Sequence, residues 1–290
     1  MENSSSHSVF VIFLVLIASL AVVSLGIKGW TYYLTPLDQR PFNPDYQNMK
    51  PSGPYSHSLG IAGSLMLIVG VSTYSTRKRV RSLWRLGKLS RWLEFHIFLC
   101  LLGPVLIVYH TTFKAGGIAS ISLWTMLSVV ASGVIGRFLY TQIPRNRNGA
   151  ELSIDEINKT MQQLGAVLET SGPGAGVIRL IDGAFTNIKR PKGPIGVFRT
   201  LLHLEEIKIR TNRGVHRFIE VSHLPVEAAK RIREAAAERA SLLQKTLLLS
   251  QVERLFFYWH AIHLPFTVIM FITLGAHVAA SLLLGYRWIF

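Results

Sequence analysis

Four histidines in two apolar segments of the chain share one spacing. His96 and His110 are 14 residues apart, and His263 and His277 are also 14 residues apart. In an α-helix, 14 residues return to within roughly 40° of the starting direction and rise about 21 Å. Each segment, if helical, therefore presents two imidazoles on one face, one towards each side of a bilayer. Neutral imidazole is a good ligand for iron and other transition metals, so the pattern points to metal chemistry.

These histidines lie in a chain whose composition is typical of a membrane protein. Of its 290 residues 49% are hydrophobic and 16% are charged, and the mean hydropathy is +0.33. A helix needs about 20 residues to cross a bilayer core of about 30 Å. Five segments are long and apolar enough: 8–27, 57–75, 92–112, 117–141 and 255–285. We therefore predict an all-α membrane protein with a five-helix transmembrane bundle.

The first apolar segment has two interpretations. It could be a secretory signal, but the residues before it carry Glu2 and no Lys or Arg. No small-residue cleavage site precedes Lys28 either, so we favour a retained membrane anchor.

Charge is distributed unevenly between the predicted loops. The chain has 31 Lys and Arg against 16 Asp and Glu, a net charge of +15. Loop 77–94 has seven basic residues and one acidic residue, and segment 145–254 has 18 basic and 12 acidic residues. The positive-inside rule therefore places both in the cytoplasm, with the N-terminus inside and the C-terminus outside an inner (cytoplasmic) membrane. The basic excess favours contact with anionic lipid headgroups over nucleic-acid binding.

This topology makes the two histidine helices run in the same direction. His96 is then level with His263, the inner pair, and His110 with His277, the outer pair. Two facing imidazoles can hold the iron of a haem as its axial ligands. One cysteine rules out a CxxCH site for covalent haem, so we predict two non-covalent b haems. The alternative is that each histidine forms a hydrogen bond to a neighbouring helix.

The sequences of these two histidine-containing segments resemble those of the dihaem b-type transmembrane cytochromes. RWLEFHIFLCLLGPVLIVYH looks like their helix with two histidines, and HLPFTVIMFITLGAH looks like its partner. The placement on the third and fifth spans is similar to the ferric-reductase-like membrane domain, and paired helices in one direction also occur in cytochrome b of bc-type complexes. The resemblance to the ferric reductases is incomplete, since we expect no flavin and nicotinamide domain after the last span.

Other residues could contribute to cofactor binding. Gly103, seven residues from each histidine of its helix, could make room between two haems or serve helix packing. Arg137 could bind the propionates of the inner haem or extend to the cytoplasmic surface. His57 could take protons from a quinol, and His260 could contact a propionate or a quinone, although an interfacial role is the simpler interpretation. Weaker candidates are the close-packing glycines Gly60, Gly63 and Gly70, and two outer basic residues, Lys114 and Arg287.

Segment 145–254 is predicted to be a small α+β cytoplasmic insertion. Residues 152–169 are predicted to form a helix that begins with a capping box formed by Ser153 and Glu156. Alternation over 207–221, with a turn at Asn212–Gly214, indicates a β-hairpin. From Pro225 the pattern predicts a stalk helix that runs directly into the last span. SGPGAG, at 171–176, is expected to be a loop, and His203, His216 and His223 are expected to be surface residues.

The domain prediction follows from these elements. Residues 1–144 hold transmembrane helices 1–4, residues 145–254 the insertion, and residues 255–290 transmembrane helix 5.

The predicted function is transmembrane electron transfer through the two haems. A quinone or quinol in the membrane and a redox protein, either a c-type cytochrome or a flavin/iron–sulfur subunit, are the expected partners, as in a respiratory-type complex. An electron-transfer subunit is favoured over a self-sufficient enzyme. Two alternatives stay open: a self-contained metal or quinone reductase, and a haem-free subunit that anchors a partner to the membrane.

Overall fold

The structure is a computed structural model that describes residues 4–117, 119–144, 152–169, 174–186, 188 and 191–284. All regular structure in these residues is helical. The chain divides into two compact units, one of residues 1–134 and 262–290 and one of residues 135–261. The boundaries between the two units lie within two long helices, which correspond to the fourth and fifth predicted spans.

Among the described residues, five helices are long and apolar enough to cross a membrane, which confirms the five predicted spans and indicates a multi-pass membrane protein. Two short helices lie between the first and second of these long helices. In chain order these elements are α1 (Ser4–Lys28), α2 (Trp30–Leu34), α3 (Tyr46–Met49), α4 (Pro54–Arg79), α5 (Leu89–His110) and α6 (Ser120–Gln142). The remaining helices are α7 (Ile154–Glu169), α8 (Gly174–Phe185), α9 (Gly193–Val221), α10 (Val226–Leu247) and α11 (Leu249–Leu283).

The first unit is held together by close packing of its apolar helices. α4 and α5 form an extended antiparallel contact. Leu67 of α4 is buried with Met126 of α6 and Met270 of α11, so these helices share one core. The outward faces stay apolar: on α1, Val9, Leu16 and Leu20 are all more than 60% exposed. Since every backbone bond inside a helix is satisfied, such surfaces suit a lipid environment.

A buried arginine fixes the segment between α1 and α4 against the end of α5. Arg40 donates from Nη1 to the carbonyl oxygen of Thr112 (2.6 Å), from Nε to that of Thr35 (3.0 Å), and from Nη2 to that of Tyr33 (3.0 Å). Its side chain also lies over the ring of Tyr32. The bond to Thr112 ties this connection to the end of the helix that carries His110, and the other two bonds lie within the connection itself.

The second unit is a helical bundle, which corrects the predicted α+β insertion. Residues 207–221 form the second half of α9, with no strand in the described residues. The buried positions of α9 are Val197, Leu201, Leu204, Thr211, Val215 and Ile219. These buried positions are three, four or seven residues apart, which is the spacing of one face of an α-helix. The alternation at 207–221 is therefore a short local pattern within a longer segment that has helical periodicity. An ion pair between Glu206 and Arg210 and a contact of His216 Nδ1 with the Glu220 carboxylate (3.1 Å), each four residues apart, support the helix further.

Two other expectations for this unit need correction. The stalk helix does not run unbroken into the last span: Leu248 leaves helical geometry (φ −123°, ψ 16°), which lets its side chain enter the bundle core. α10 also packs against α7, α8 and α9, and is not a free stalk. Within SGPGAG, Gly174 and Gly176 belong to the first turn of α8 and not to a loop, while residues 171–173 lie outside the described residues.

The helix over 154–169 begins as predicted. The Glu156 backbone N–H donates to Ser153 Oγ (3.2 Å), and the Ser153 backbone N–H donates to a Glu156 carboxylate oxygen (2.8 Å). This is the reciprocal capping box expected from the sequence. The hydrogen bonds lower the pKa of the Glu156 carboxyl below its usual value, because they favour its charged form.

Candidate functional site

The structure brings the two histidines of the outer pair together. His110 at the end of α5 and His277 on α11 lie with their ring centroids 6.5 Å apart and their planes inclined by 68°. Both side chains are partly buried. If one metal atom bridged two imidazoles at about 2 Å from each nitrogen, the ring centroids would be about 6 Å apart. The observed separation is therefore close to that of two imidazoles that would hold one metal atom between them.

A third imidazole lies beside this pair. The ring of His57, near the start of α4, is 6.0 Å from that of His110. In the described residues, no group of three or more His, Cys, Asp or Glu side chains is arranged to hold a bare metal ion. A haem iron needs fewer protein ligands, since the porphyrin supplies four nitrogens and the protein two axial ones. The geometry at this end of the bundle suits a two-histidine site with a third histidine near it.

Two of the four candidate ligands are oriented by backbone carbonyls of α4. The Nδ1 of His110 is 2.9 Å from the carbonyl oxygen of Ser56, and the Nδ1 of His96 is 3.0 Å from that of Gly70. A carbonyl oxygen can only accept, so each Nδ1 carries the proton and donates it. The lone pair is then on Nε2, which is the nitrogen that a metal would bind. Metal-ligating histidines characteristically have such a partner on their other nitrogen.

These hydrogen bonds depend on a matched register between α4 and α5. Along α5, His96, Gly103 and His110 are seven residues apart, and along α4 their counterparts Gly70, Gly63 and Ser56 are also seven apart, in the reverse direction. A period of seven keeps one seam of each helix facing the other. The sequence identified the glycines and histidines, but the register was visible only once both helices were placed.

Glycines in this seam allow the two backbones to approach closely. A Cβ at Gly103 would lie 2.8 Å from the carbonyl oxygen of Gly63, and a Cβ at Gly63 would lie 2.6 Å from that of Gly103. A Cβ at Gly60 would lie 2.8 Å from Cγ of His110. Of the two roles considered for Gly103, these contacts support helix packing. The same packing brings α4 near enough for its carbonyls to reach the histidines.

The two histidines of the inner pair contact different helices: His96 contacts α4, and His263 contacts α6. In addition to its hydrogen bond to Gly70, the ring of His96 lies near that of Tyr74, with 5.3 Å between the ring centroids. The Sγ atom of Cys100 is 3.5 Å from His96 Nδ1. The Nδ1 of His263 is 3.1 Å from Oγ of Ser132 on α6. Sequence reasoning missed Ser132, because nothing in the spacing of α11 identifies a hydroxyl on another helix. The pairing of His96 with His263 stays a prediction.

The other predicted cofactor contacts lie in the second unit or at the surface. Arg137 lies over the ring of Tyr140, with 5.4 Å from its guanidinium carbon to the ring centroid, and His260 is exposed beside Trp259. Neither contact tests a role towards a propionate or a quinone. Lys114 is exposed, and Arg287 lies outside the described residues. His203, His216 and His223 are exposed, as expected of surface residues.

Comparison of the chain with protein-family models, with curated proteins and with solved structures finds no match.

Proposed function

We propose that this chain transfers electrons across a membrane through two b-type haems, each held by one histidine of α5 and one of α11. The observation that carries the proposal is the approach of His110 to His277 at 6.5 Å between ring centroids. His96 and His263, at the same 14-residue spacing from these residues, would hold the second haem. The chemistry that bound haem supplies is one-electron transfer at iron.

The donor set fits haem in three respects. The candidate ligands are imidazoles in helices apolar enough to span a membrane, where an ionised ligand would be costly. The Nδ1 atoms of His96 and His110 are occupied by carbonyls, which directs Nε2 to a metal. Ser132 meets the corresponding nitrogen of His263 with a hydroxyl, which fixes the orientation of that ring.

The rest of the first unit keeps these imidazoles in place. The glycine seam between α4 and α5 holds the accepting carbonyls of Ser56 and Gly70 at hydrogen-bonding distance from their histidines. Ligand rings that are fixed before a cofactor binds lose less rotational freedom on binding. Thus α4 acts as the positioning helix, although it supplies no predicted ligand itself.

The membrane sides of the two haems and the partners belong to the same proposal. The positive-inside rule assigns the basic loop 77–94 and segment 145–254 to the cytoplasm, which puts the outer pair on the opposite side. We propose quinone or quinol as the partner in the membrane and a c-type cytochrome or a flavin/iron–sulfur subunit as the other. His57, 6.0 Å from His110, is the residue best placed to exchange a proton with a quinol at the outer haem.

A redox titration of single-histidine variants tests the proposal. Wild-type protein should show two b-type components, and His110→Ala and His277→Ala should each remove the same component and leave the other. His96→Ala and His263→Ala should remove the second. His203→Ala, which changes an exposed histidine of α9, is the matched control and should keep both. If the four variants each retained both components, the proposal would be wrong.

A further inference from the structure

The loop that joins α4 to α5 combines exposed apolar side chains with exposed cations. Val80, Trp84, Leu86 and Leu89 are each about 40% to 60% exposed. The exposed cationic residues in and just before this stretch are Lys78, Arg79, Arg81, Arg85 and Lys88. In 77–94, Glu94 is the single acidic residue. Trp with Arg or Lys is the combination that membrane proteins place at the level of the lipid headgroups.

This loop is an ordered element, folded around a buried arginine. Arg77, 6% exposed, donates from Nη2 to the carbonyl oxygens of Trp84 and Gly87, both at 2.8 Å. Trp92 Nε1 donates to the carbonyl oxygen of Leu86 (2.7 Å), and Gly87 has a φ of +76°, which favours glycine at this turn. These bonds hold the backbone of the loop at Trp84, Leu86 and Gly87, from which the exposed side chains of Arg81, Trp84 and Arg85 extend.

The buried charge of Arg77 has no anionic partner in the described part of the chain. Its described hydrogen bonds go to carbonyl oxygens, and its buried Nε has no hydrogen-bond partner. A buried cation without a counter-ion is costly, and an unmade bond to a buried donor adds to that cost. An oxyanion bound beside the guanidinium group would supply the missing counter-charge, and guanidinium groups suit phosphate geometry well.

We propose that this loop is a binding site for the phosphate group of an anionic phospholipid. Arg77 lies at its base, Arg81 and Arg85 bring further positive charge, and Trp84 with Leu86 enters the interfacial region of the bilayer. A lipid is favoured over a soluble phosphate, because the loop joins two helices that are long and apolar enough to span the membrane and presents apolar side chains beside its cations. Each basic residue near an anionic membrane surface contributes about 1 kcal/mol, or about fivefold in affinity.

The test uses the full-length protein in phosphatidylcholine vesicles with a trace of spin-labelled phosphatidylglycerol or spin-labelled phosphatidylcholine. Electron paramagnetic resonance measures the fraction of each lipid immobilised at the protein. Wild-type protein should prefer phosphatidylglycerol, and Arg81→Gln with Arg85→Gln should reduce that preference at least fivefold by the same constant. Arg213→Gln with Arg217→Gln removes two exposed charges from α9 and is the matched control, which should keep the preference.

Two further measurements keep the inference falsifiable if the double variant folds poorly. Trp84→Ala should weaken the preference without a change in net charge. In the wild-type protein, raising the salt concentration from 0.1 to 1 M shortens the Debye length from about 10 Å to about 3 Å and should reduce the preference. The inference is overturned if the Arg81/Arg85 variant binds phosphatidylglycerol as wild type does. It is also overturned if millimolar inorganic phosphate abolishes the preference where sodium chloride of equal ionic strength does not, since the site would then be one for a soluble anion.

Discussion

His110 and His277 face each other across the same end of α5 and α11, 6.5 Å apart between ring centroids. His110 is at the same time bonded through Nδ1 to the Ser56 carbonyl of α4. One imidazole is thus fixed by a helix on one side and faces a second imidazole on the other. That arrangement would suit the haem ligand that we propose His110 to be, and the contacts that maintain it can be tested by substitution.

Gly60→Ala should disturb the outer pair without removing a ligand. The new Cβ would lie 2.8 Å from Cγ and 2.9 Å from Nδ1 of His110, so the ring must shift away from its bond to Ser56. Loss of such a supporting hydrogen bond typically costs about 10-fold to 100-fold in metal affinity. We expect faster transfer of one of the two haems to apomyoglobin, followed by absorbance.

Gly275→Ala is the control for that change. Gly275 lies two residues from His277 on α11, and a Cβ there would meet nothing within 4 Å. Alanine stabilises a helix by about 0.5–1 kcal/mol relative to glycine, so this variant should keep both haems and unfold at the same or a higher temperature. Equal haem loss from the two variants would contradict the proposed role of Gly60.

Ser132→Ala should change the properties of the haem that we propose His263 to hold. The hydroxyl of Ser132 is 3.1 Å from Nδ1 of that histidine, and its loss leaves the ring less well oriented and alters its basicity. The midpoint potential of one haem should shift while that of the other stays constant. Ser132→Thr keeps a hydroxyl and should restore the wild-type potential.

A hydroxyl elsewhere on α11 supplies the comparison. Ser281 Oγ donates to the backbone carbonyl of His277 within its own helix (2.9 Å), so Ser281→Ala should leave both potentials unchanged. Equal shifts of both haems in Ser132→Ala would show a general structural effect and would argue against the specific contact.

Arg239→Gln should destabilise the second unit. Arg239 donates from Nη2 to Asp182 Oδ2 (2.9 Å) and from Nη1 to the Met161 carbonyl (3.2 Å), and so joins α10 to α8 and α7. Its side chain is 14% exposed but that of Asp182 is 44% exposed, so solvent screens part of the interaction. We expect a loss of about 1–2 kcal/mol in the free energy of unfolding, measured by denaturant titration in detergent.

The matched control is Arg210→Gln, which removes an ion pair with Glu206 on the exposed face of α9. Such pairs contribute about 0.3–0.5 kcal/mol, so the variant should be close to wild type. If Arg210→Gln destabilised the protein as much as Arg239→Gln, the bridge between helices would not be the cause.

The sequence predicted the features that rest on length and long-range period. The five spans follow from the number of consecutive apolar residues, and the Ser153–Glu156 capping box from residue types at a fixed spacing. The hairpin at 207–221 was wrong because an alternating stretch of 15 residues lies within the 29-residue helix α9, whose buried positions have a helical period. Local alternation competes poorly with burial along a whole helix face.

The candidate site was predictable in part. The repeated spacing placed His110 and His277 on facing sides of their helices, and the structure brings them together. The roles of Ser56 and Ser132 were not accessible, because one acts through its backbone carbonyl and the other through a hydroxyl on a different helix. Such contacts depend on how α4, α5, α6 and α11 pack, and no pattern within one helix encodes them.

The most direct test of the central claim is the number of haems in purified full-length protein. We predict a reduced-minus-oxidised spectrum of b-type haem and, by the pyridine haemochrome assay, two haems per chain. The proposal would be contradicted if wild-type protein, folded in detergent and supplied with haem, bound none. It would also be contradicted if the His110→Ala variant bound as much haem as the wild-type protein.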